Sequence, residues 1–354
     1  PEEALPLLKE SLALFQKVDD KKMQGILHLS LASTYVVLDR PTDAPESARA
    51  AAALFQEAGD RKGEGKAYLA LANTLLTYEA PEDAQEAARK ALEAFESVED
   101  ERSQVLALNA LANAQLDMED PEEARRYASE ASALSRRAMF VRGEVTSVST
   151  LVNIQTERGD RTEAIEQAKE GVTWTQKNGT KRAEAAALDI LVTANLVSRD
   201  AESALRAGWE AMEIMRDLGD KRGHAASLLR VAMLHLVNGQ DDWALGAVTE
   251  ATEIAKELED KKEEARALYT LIFVHLQKNE SKEALTVAAR AERLFKETSD
   301  KRMMASTLLA ASRVHLADGN AKYAVAAAQR AMGIFDEACD RKGAAGGGLA
   351  LGAG

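Results

Sequence analysis

The amino-acid sequence predicts an all-α protein, a solenoid of stacked antiparallel helix hairpins. Three observations carry this prediction: a 40-residue repeat runs through the 354-residue chain without an insertion, each unit holds two segments of helical periodicity, and a helix breaker separates those segments. A single hairpin cannot bury both faces of its helices, so each unit has to stack on the next one.

Residues spaced by 40 form columns that mark the repeat. Most units begin with an Asp, whose carboxylate can accept hydrogen bonds from the free N–H groups of a helix start. Phe140 and Thr180 take its place in two units. A basic residue follows two positions later, and an alanine comes early in each second helix. The columns are Asp20, Asp60, Asp100, Asp220, Asp260, Asp300 and Asp340; Lys22, Lys62, Arg102, Arg142, Arg182, Arg222, Lys262, Arg302 and Lys342; and Ala4, Ala44, Ala84, Ala124, Ala164, Ala204, Ala244, Ala284 and Ala324.

Each unit is predicted to contain a first and a second helix, as residues 60–99 illustrate. The first helix covers about 62–77, with Leu71 and Leu75 one turn apart on its apolar face. Pro81 disfavours helix in the residue before it and suits the first turn of the second helix, which runs to about Val98. Gly159, Gly239 and Gly319 mark the same break in other units.

Small residues on the second helices explain how the helices can pack closely. Ala84, Ala88 and Ala91 let neighbouring helices approach at the short end of the usual range, about 8–10 Å. Larger residues are expected to fill the remaining gaps. On the second helices these are Leu14, Leu54, Leu134, Trp174, Ile214, Ile254, Leu294 and Ile334.

We predict one solenoid over residues 1–342, followed by a Gly/Ala-rich partial repeat or tail at 343–354. The chain begins with a second helix that has no first helix, so we expect a piece of a longer protein. The predicted repeat boundaries are 1–19 for the half-repeat, then about 20–59, 60–99, 100–139, 140–179, 180–219, 220–259, 260–299 and 300–339.

Composition and charge exclude several function classes. The net charge of −13 argues against nucleic acid as the main partner. A single cysteine, Cys339, excludes a disulfide scaffold or a Cys-based zinc site and permits a reducing compartment, the cytoplasm or an organelle interior. No apolar run is long enough to insert into a membrane. We expect no cofactor.

Two motifs suggest a phosphate-binding or a metal-binding site, but neither meets the requirements of such a site. The segment 59–66 is glycine-rich like a phosphate loop, but its spacing is one residue too long and Ala67 stands where Ser or Thr is required. His235, His275 and His315 lie one repeat apart, so parallel helices hold them in register rather than converging on a metal ion. They are interpreted as packing residues, with a pH-sensitive role as the alternative. We expect no catalytic residues and no enzyme.

Specific residues resemble the tetratricopeptide repeat: Leu71-Ala72-Asn73, then Leu75, a turn, Ala84 and Ala91. The 40-residue period resembles the long subtype of the LGN/Pins adaptors. The resemblance implies a right-handed superhelix of about eight full repeats with a concave groove lined by first helices. Large aromatic residues of the family are missing at several first-helix positions, and the junction around Phe140 departs from the pattern.

The resemblance also implies a peptide-binding role for asparagines in the groove. In LGN-like proteins, asparagines in the column of Asn73, Asn113 and Asn153 hydrogen-bond the backbone of an extended peptide. Asn109 and Ser149 of the neighbouring column are expected to add polar area. The alternative is that these asparagines only bond neighbouring helices. Further along, Met233, Tyr269 and Phe273 make the groove apolar, which suits an amphipathic helix or a segment of the chain itself.

Two further places suggest an outer interface. Trp209 and Trp243 occupy columns that are otherwise polar, and Trp is frequent at interaction hot spots. At the irregular junction, Arg136 and Arg137 are close in sequence to Phe140, which cannot cap a helix. The alternatives are surface tryptophans packed on their own neighbours and a local rearrangement of the core around Phe140.

The sequence therefore predicts a non-catalytic scaffold that binds other proteins through peptide or helical segments. Two alternatives stay open: a structural subunit of a large complex, and the sensor solenoid of a larger multidomain protein.

Overall fold

The structure is a computed structural model, and it describes residues 4–38 and 40–337. Within these residues, the first helices of the repeats are α2 (Lys21–Val37), α4 (Arg61–Thr77), α6 (Glu101–Asp117), α8 (Val141–Arg158), α10 (Lys181–Val197), α12 (Lys221–Val237), α14 (Lys261–Gln277) and α16 (Lys301–Ala317). The second helices are α1 (Ala4–Lys17), α3 (Asp43–Glu57), α5 (Pro81–Glu96), α7 (Pro121–Arg137), α9 (Arg161–Asn178), α11 (Ala201–Asp217), α13 (Asp241–Glu257), α15 (Ser281–Glu297) and α17 (Ala321–Glu337).

These 17 helices of the described residues confirm the predicted all-α repeat solenoid. The chain divides into two compact units, Pro1–Ile190 and Leu191–Gly354, and the division falls inside α10. In the first unit α2, α4, α6 and α8 contact one another in series, and in the second unit α12, α14 and α16 do the same. The single solenoid over 1–342 stays a prediction, and the tail at 343–354 and the last repeat marker at 340–343 lie outside the described residues.

The helix caps form as the sequence predicts. The Asp60 side chain accepts a hydrogen bond from the Gly63 N–H at 2.9 Å, and Asp220 does the same for Gly223. Phe140 makes no side-chain cap, while the Thr180 hydroxyl accepts from the Ala183 N–H at 3.3 Å. Equivalent caps are made by Asp20, Asp100, Asp260 and Asp300.

The Asp and basic columns also join consecutive repeats, which the sequence pattern alone did not reveal. Lys62 Nζ lies 2.8 Å from Asp100 Oδ2, so one carboxylate caps its own helix and pairs with the preceding repeat. Lys22–Asp60, Arg222–Asp260 and Lys262–Asp300 repeat this pair. Where Asp is replaced by Phe140, the Arg102 guanidinium lies over the aromatic ring, 5.7 Å from its centroid. A cation–π contact thus takes the place of the ion pair.

The predicted small-residue packing is present, but the large fillers differ from the prediction. Ala84, Ala88 and Ala91 are completely buried. Leu134 is buried as predicted, but Leu14 is exposed and Leu54 only half-buried, and the deeply buried aromatic rings of the second helices lie in the next column. The buried rings are Phe55, Phe95, Phe295 and Phe335.

A left-handed backbone residue precedes most helices. The φ angle is positive at Gly159, Gly239 and Gly319, the glycines predicted to break the helices, where a side chain would be strained. Non-glycine residues take the same conformation elsewhere, including Met139 at φ 48°. The turn geometry therefore recurs even where glycine is absent.

Candidate functional site

Three exposed asparagines line one face of the first unit. Asn73, Asn113 and Asn153 hold equivalent positions on α4, α6 and α8, which pack side by side. No hydrogen bond joins their side chains to any other described residue. Each amide therefore presents a donor and an acceptor to solvent. Whether they bind a peptide stays a prediction.

Acidic residues border two of these asparagines. Asp117 and Glu157 lie one helical turn after Asn113 and Asn153, and both are exposed. Neither carboxylate makes an ion pair with another described residue. The face thus combines neutral amides with unpaired negative charge.

The expectation that Asn109 adds polar area to this face is wrong. Asn109 is 3% exposed, and its Nδ2 donates a hydrogen bond to Ser147 Oγ at 3.0 Å. Ser147 in turn donates to the Gly143 carbonyl. Asn109 therefore joins α6 to α8, as in the alternative interpretation that these asparagines only bond neighbouring helices. Ser149 is half-buried.

The apolar residues predicted for the second unit are only partly free. Met233 is 42% exposed. Tyr269 and Phe273 are half-buried and pack edge to face with ring centroids 5.2 Å apart. Burial raises the pKa of the Tyr269 hydroxyl, partly offset by Arg313. These two rings belong largely to the packing of α14.

The two unexpected tryptophans meet at one histidine. Trp209 of α11 and Trp243 of α13 contact the His235 ring of α12, with centroid distances of 5.9 and 6.2 Å. Sequence reasoning treated these residues separately. The sequence did carry a signal for this cluster. A residue at the repeat position of His235 lies between the preceding and the following second helix, which here carry Trp209 and Trp243.

The three histidines each have a local partner and do not converge. His235 Nδ1 lies 2.6 Å from Gln240 Oε1, and His275 Nδ1 lies 2.7 Å from Glu280 Oε2. His315 packs on Tyr323. Within residues 4–38 and 40–337, no group of three or more His, Cys, Asp or Glu side chains could hold a metal ion.

At the irregular junction, two of the predicted interface residues, Phe140 and Arg136, make contacts within the chain. Phe140 is half-buried against the core of the first unit. Arg136 Nε lies 2.7 Å from Oε1 of Glu144, a fully buried carboxylate that also accepts a hydrogen bond from Ser132. Arg137 pairs with Glu101 on the surface. The geometry favours the local rearrangement of the core over an interface.

The glycines of the apparent phosphate loop have a packing explanation. A Cβ on Gly63 would overlap the Phe55 ring, and one on Gly65 would lie 2.7 Å from Phe95 Cε1. Both belong to α4, so their N–H groups are part of a helix rather than a phosphate cradle. In the described part of the chain, no helix has the length and apolarity required to cross a membrane.

Comparison with known proteins identifies the fold. No protein-family model matches the chain, and no curated protein matches it in sequence. Among solved structures, the apo quorum sensor NprR from B. thuringiensis has a TM-score of 0.58 at 11% identity, covering 94% of each chain. A Rap protein complexed with competence and sporulation factor gives 0.53 at 14% identity, over 96% of this chain and 99% of that one.

A third solved structure resembles this chain over about half of its own length. It is the signal transduction ATPase with a tetratricopeptide repeat sensor, PH0952, from Pyrococcus horikoshii, with a TM-score of 0.55 at 18% identity. The match spans 94% of this chain and 49% of the ATPase. The chain thus has a fold of the tetratricopeptide-like repeat type.

Proposed function

We propose that this chain is a non-catalytic interaction scaffold that binds an extended peptide of a partner protein along Asn73, Asn113 and Asn153. The observation that carries the proposal is the alignment of three exposed amides without hydrogen-bond partners among the described residues, on adjacent helices. Side-by-side helices are about 10 Å apart. A peptide in the extended polyproline II conformation rises about 3.1 Å per residue with three residues per turn, so every third peptide unit would meet an asparagine.

The charge of the same face favours a peptide with basic side chains. Asp117 and Glu157 stand one repeat apart beside the asparagines and are exposed without an ion-pair partner in the described structure. Lysine or arginine side chains three residues apart on such a peptide point to the same side and would reach both carboxylates. Amide contacts would hold the backbone, and the carboxylates would select its side chains.

Similar folds in other proteins support this proposal without carrying their roles over. NprR is a quorum sensor, and the Rap structure contains a bound factor. The 40-residue period, seen in first helices that begin at Lys21, Arg61 and Glu101, fits the long LGN/Pins-like subtype that we propose for the chain.

The test is a peptide array probed with the full chain. Twelve-residue peptides with Arg or Lys at two positions three apart should be retained over matched peptides with Glu at those positions. The double variant Asn113→Ala/Asn153→Ala should lose the retention that depends on two basic residues three apart and bind these peptides no better than peptides with a single basic residue, while its helical circular dichroism stays unchanged. Retention that is absent in the wild-type chain, or unchanged in the variant, contradicts the proposal.

Asn109→Ala is the matched control. It removes a buried bond to Ser147 rather than an exposed amide. This variant should melt at a lower temperature but retain the same peptides below that temperature.

A second candidate is a sensor module of a larger protein. The likeness to PH0952, which covers nearly all of this chain but only half of the ATPase, favours it. Sequencing the gene on both sides of this segment tests it, because the sensor role requires an adjoining ATPase or DNA-binding module.

A further inference from the structure

Two partly exposed tryptophans in the second unit enclose a buried histidine. The Trp209 ring meets His235 edge-on at 78°, and the Trp243 ring is stacked on it at 22°. Trp209 is 38% exposed and Trp243 is 66% exposed. Trp243 therefore leaves most of a large aromatic surface in water, although tryptophan is usually well buried.

His235, which lies between the two tryptophan rings, lacks a hydrogen-bond donor at one of its ring nitrogens. His235 is 5% exposed, and its Nδ1 faces the Gln240 amide oxygen. An amide oxygen only accepts, so Nδ1 carries the proton and Nε2 is an acceptor. Nε2 is buried and meets no donor among the described residues.

A surface glycine next to Trp243 has no packing explanation. Gly246 lies in the interior of α13, and a Cβ built there meets nothing within 4 Å. By contrast, a Cβ on the buried Gly208 would lie 2.7 Å from Leu234. Glycine weakens a helix relative to alanine, and its missing side chain permits close approach by another backbone. Gly246 keeps the surface beside Trp243 open.

The charge around the tryptophans is negative. Glu210, which follows Trp209, is exposed and makes no ion pair within the described structure. Asp242, which precedes Trp243, is highly exposed and is paired with Lys278. Within four residues of either tryptophan, the exposed acidic residues are Glu210, Glu213 and Asp242, and the exposed basic residue is Arg206.

We propose that Trp209, His235, Trp243 and Gly246 form a second interaction site, which binds an arginine or lysine side chain displayed by a partner protein. A cation over an indole face is attracted by the ring quadrupole, and the acidic surroundings strengthen that attraction. Arginine fits best, because its planar guanidinium stacks on aromatic rings.

This site extends the proposed scaffold function by a second binding surface. It shares no residue with the asparagine column, which lies on α4, α6 and α8. Its failure would therefore leave the peptide proposal standing, and the reverse also holds.

The probe is a positional-scanning set of labelled 12-residue peptides in which one position is fixed as Arg, Lys, Leu or Glu. Fluorescence polarisation with the full chain measures affinity. Arg- and Lys-fixed peptides should bind at least tenfold more tightly than Glu-fixed ones, with arginine first. Trp209→Ala/Trp243→Ala should weaken this binding at least tenfold, whereas Asn113→Ala/Asn153→Ala leaves a tight component intact. Trp243→Ala alone, at a mostly exposed position, gives the same direction if the double variant does not fold.

Two glycines provide a matched pair of variants. Gly246→Gln should weaken the tryptophan-dependent binding at least fivefold, because the new side chain blocks the open surface. Gly333→Gln makes the same change at an equally open helical glycine of α17 and should leave binding unchanged. Both variants should keep full helical circular dichroism.

Five outcomes would overturn the proposal. Peptide binding could be insensitive to the tryptophan variants, Glu- or Leu-fixed peptides could be preferred, or the two glycine variants could have equal effects. The fourth is arginine amide or tetramethylammonium binding as tightly as the peptides, which would indicate a site for free cations. A dimer in analytical ultracentrifugation that dissociates in the Trp243→Ala variant would likewise assign the surface to a second copy of the chain.

Discussion

Asn109 and Asn113 are one helical turn apart on α6 and have different roles. Asn109 bonds Ser147 inside the first unit, while Asn113 faces solvent. The sequence held the distinguishing signal. The column of Asn109 carries four leucines, at 29, 69, 229 and 309, which favours burial, whereas the column of Asn113 is mixed, with Ser33 and Arg313 beside Phe273.

Two neighbouring arginines give a direct test of burial at the residue scale. Arg136 pairs with the fully buried Glu144, and Arg137 pairs with the exposed Glu101. Glu144→Gln should lower the free energy of unfolding by about 1–2 kcal/mol, because it weakens the charge-assisted bonds of a buried carboxylate while Arg136 stays partly exposed with Glu170 3.9 Å away. Glu101→Gln should change it by less than about 0.5 kcal/mol. Urea denaturation of both variants measures the difference, and equal effects would contradict the burial of Glu144.

Phe140 offers a second test at this scale. Phe140→Ala should destabilise the chain, because it removes packing and the contact with Arg102 without restoring a cap. Phe140→Asp loses the same packing but regains the cap and an ion pair with Arg102. The Asp variant should therefore be about 1 kcal/mol more stable than the Ala variant. Equal stability of the two in urea would show that residue 140 does not occupy a capping position.

At the scale of helices, one carboxylate has two roles at four repeat junctions. Asp100 caps α6 and pairs with Lys62 of the preceding repeat. The same geometry explains the basic residue two positions after the cap at Lys22, Arg222 and Lys262. It also explains why Arg102 persists opposite Phe140, where it contacts the ring instead.

Acid should weaken these junctions. The hydrogen bond from the Gly63 N–H, helped by Lys22, lowers the pKa of the Asp60 carboxyl. A lowered folded-state pKa stabilises the protein above the unfolded value of about 3.9, and the contribution is lost as the pH falls through the folded value. Asp60→Asn keeps a capping side chain without the charge. Wild type should therefore be more stable than this variant at pH 7, and urea midpoints should show the difference shrinking at pH 3. A stability difference that grows in acid would contradict a lowered folded-state pKa of Asp60.

Close helix packing is testable with one alanine pair. Ala84 is fully buried on α5, while Ala53 is exposed on α3. Ala84→Leu should destabilise by about 1–3 kcal/mol through overpacking. Ala53→Leu should change stability little. Thermal melts that do not distinguish the two variants would show that Ala84 does not face the neighbouring helices.

For the whole molecule, the sequence was sufficient for the repeat fold but not for the contacts across it. Helix boundaries followed from capping residues and breakers that recur every 40 residues. The Trp209–His235–Trp243 cluster was missed because its members lie on three different helices. Leu54 rather than the buried Phe55 was predicted to face inward, since helical periodicity alone does not settle which of two adjacent apolar residues does so.

The most direct measurement of the central claim is a calorimetric titration of the best array peptide into the wild-type chain and into Asn113→Ala/Asn153→Ala. Each lost hydrogen bond is worth about 1 kcal/mol, so we expect the Kd to rise about 10- to 30-fold. The Asn109→Ala control should keep the wild-type Kd at a temperature where it is folded. An unchanged Kd in the double variant would contradict the proposal that the asparagine column binds the peptide.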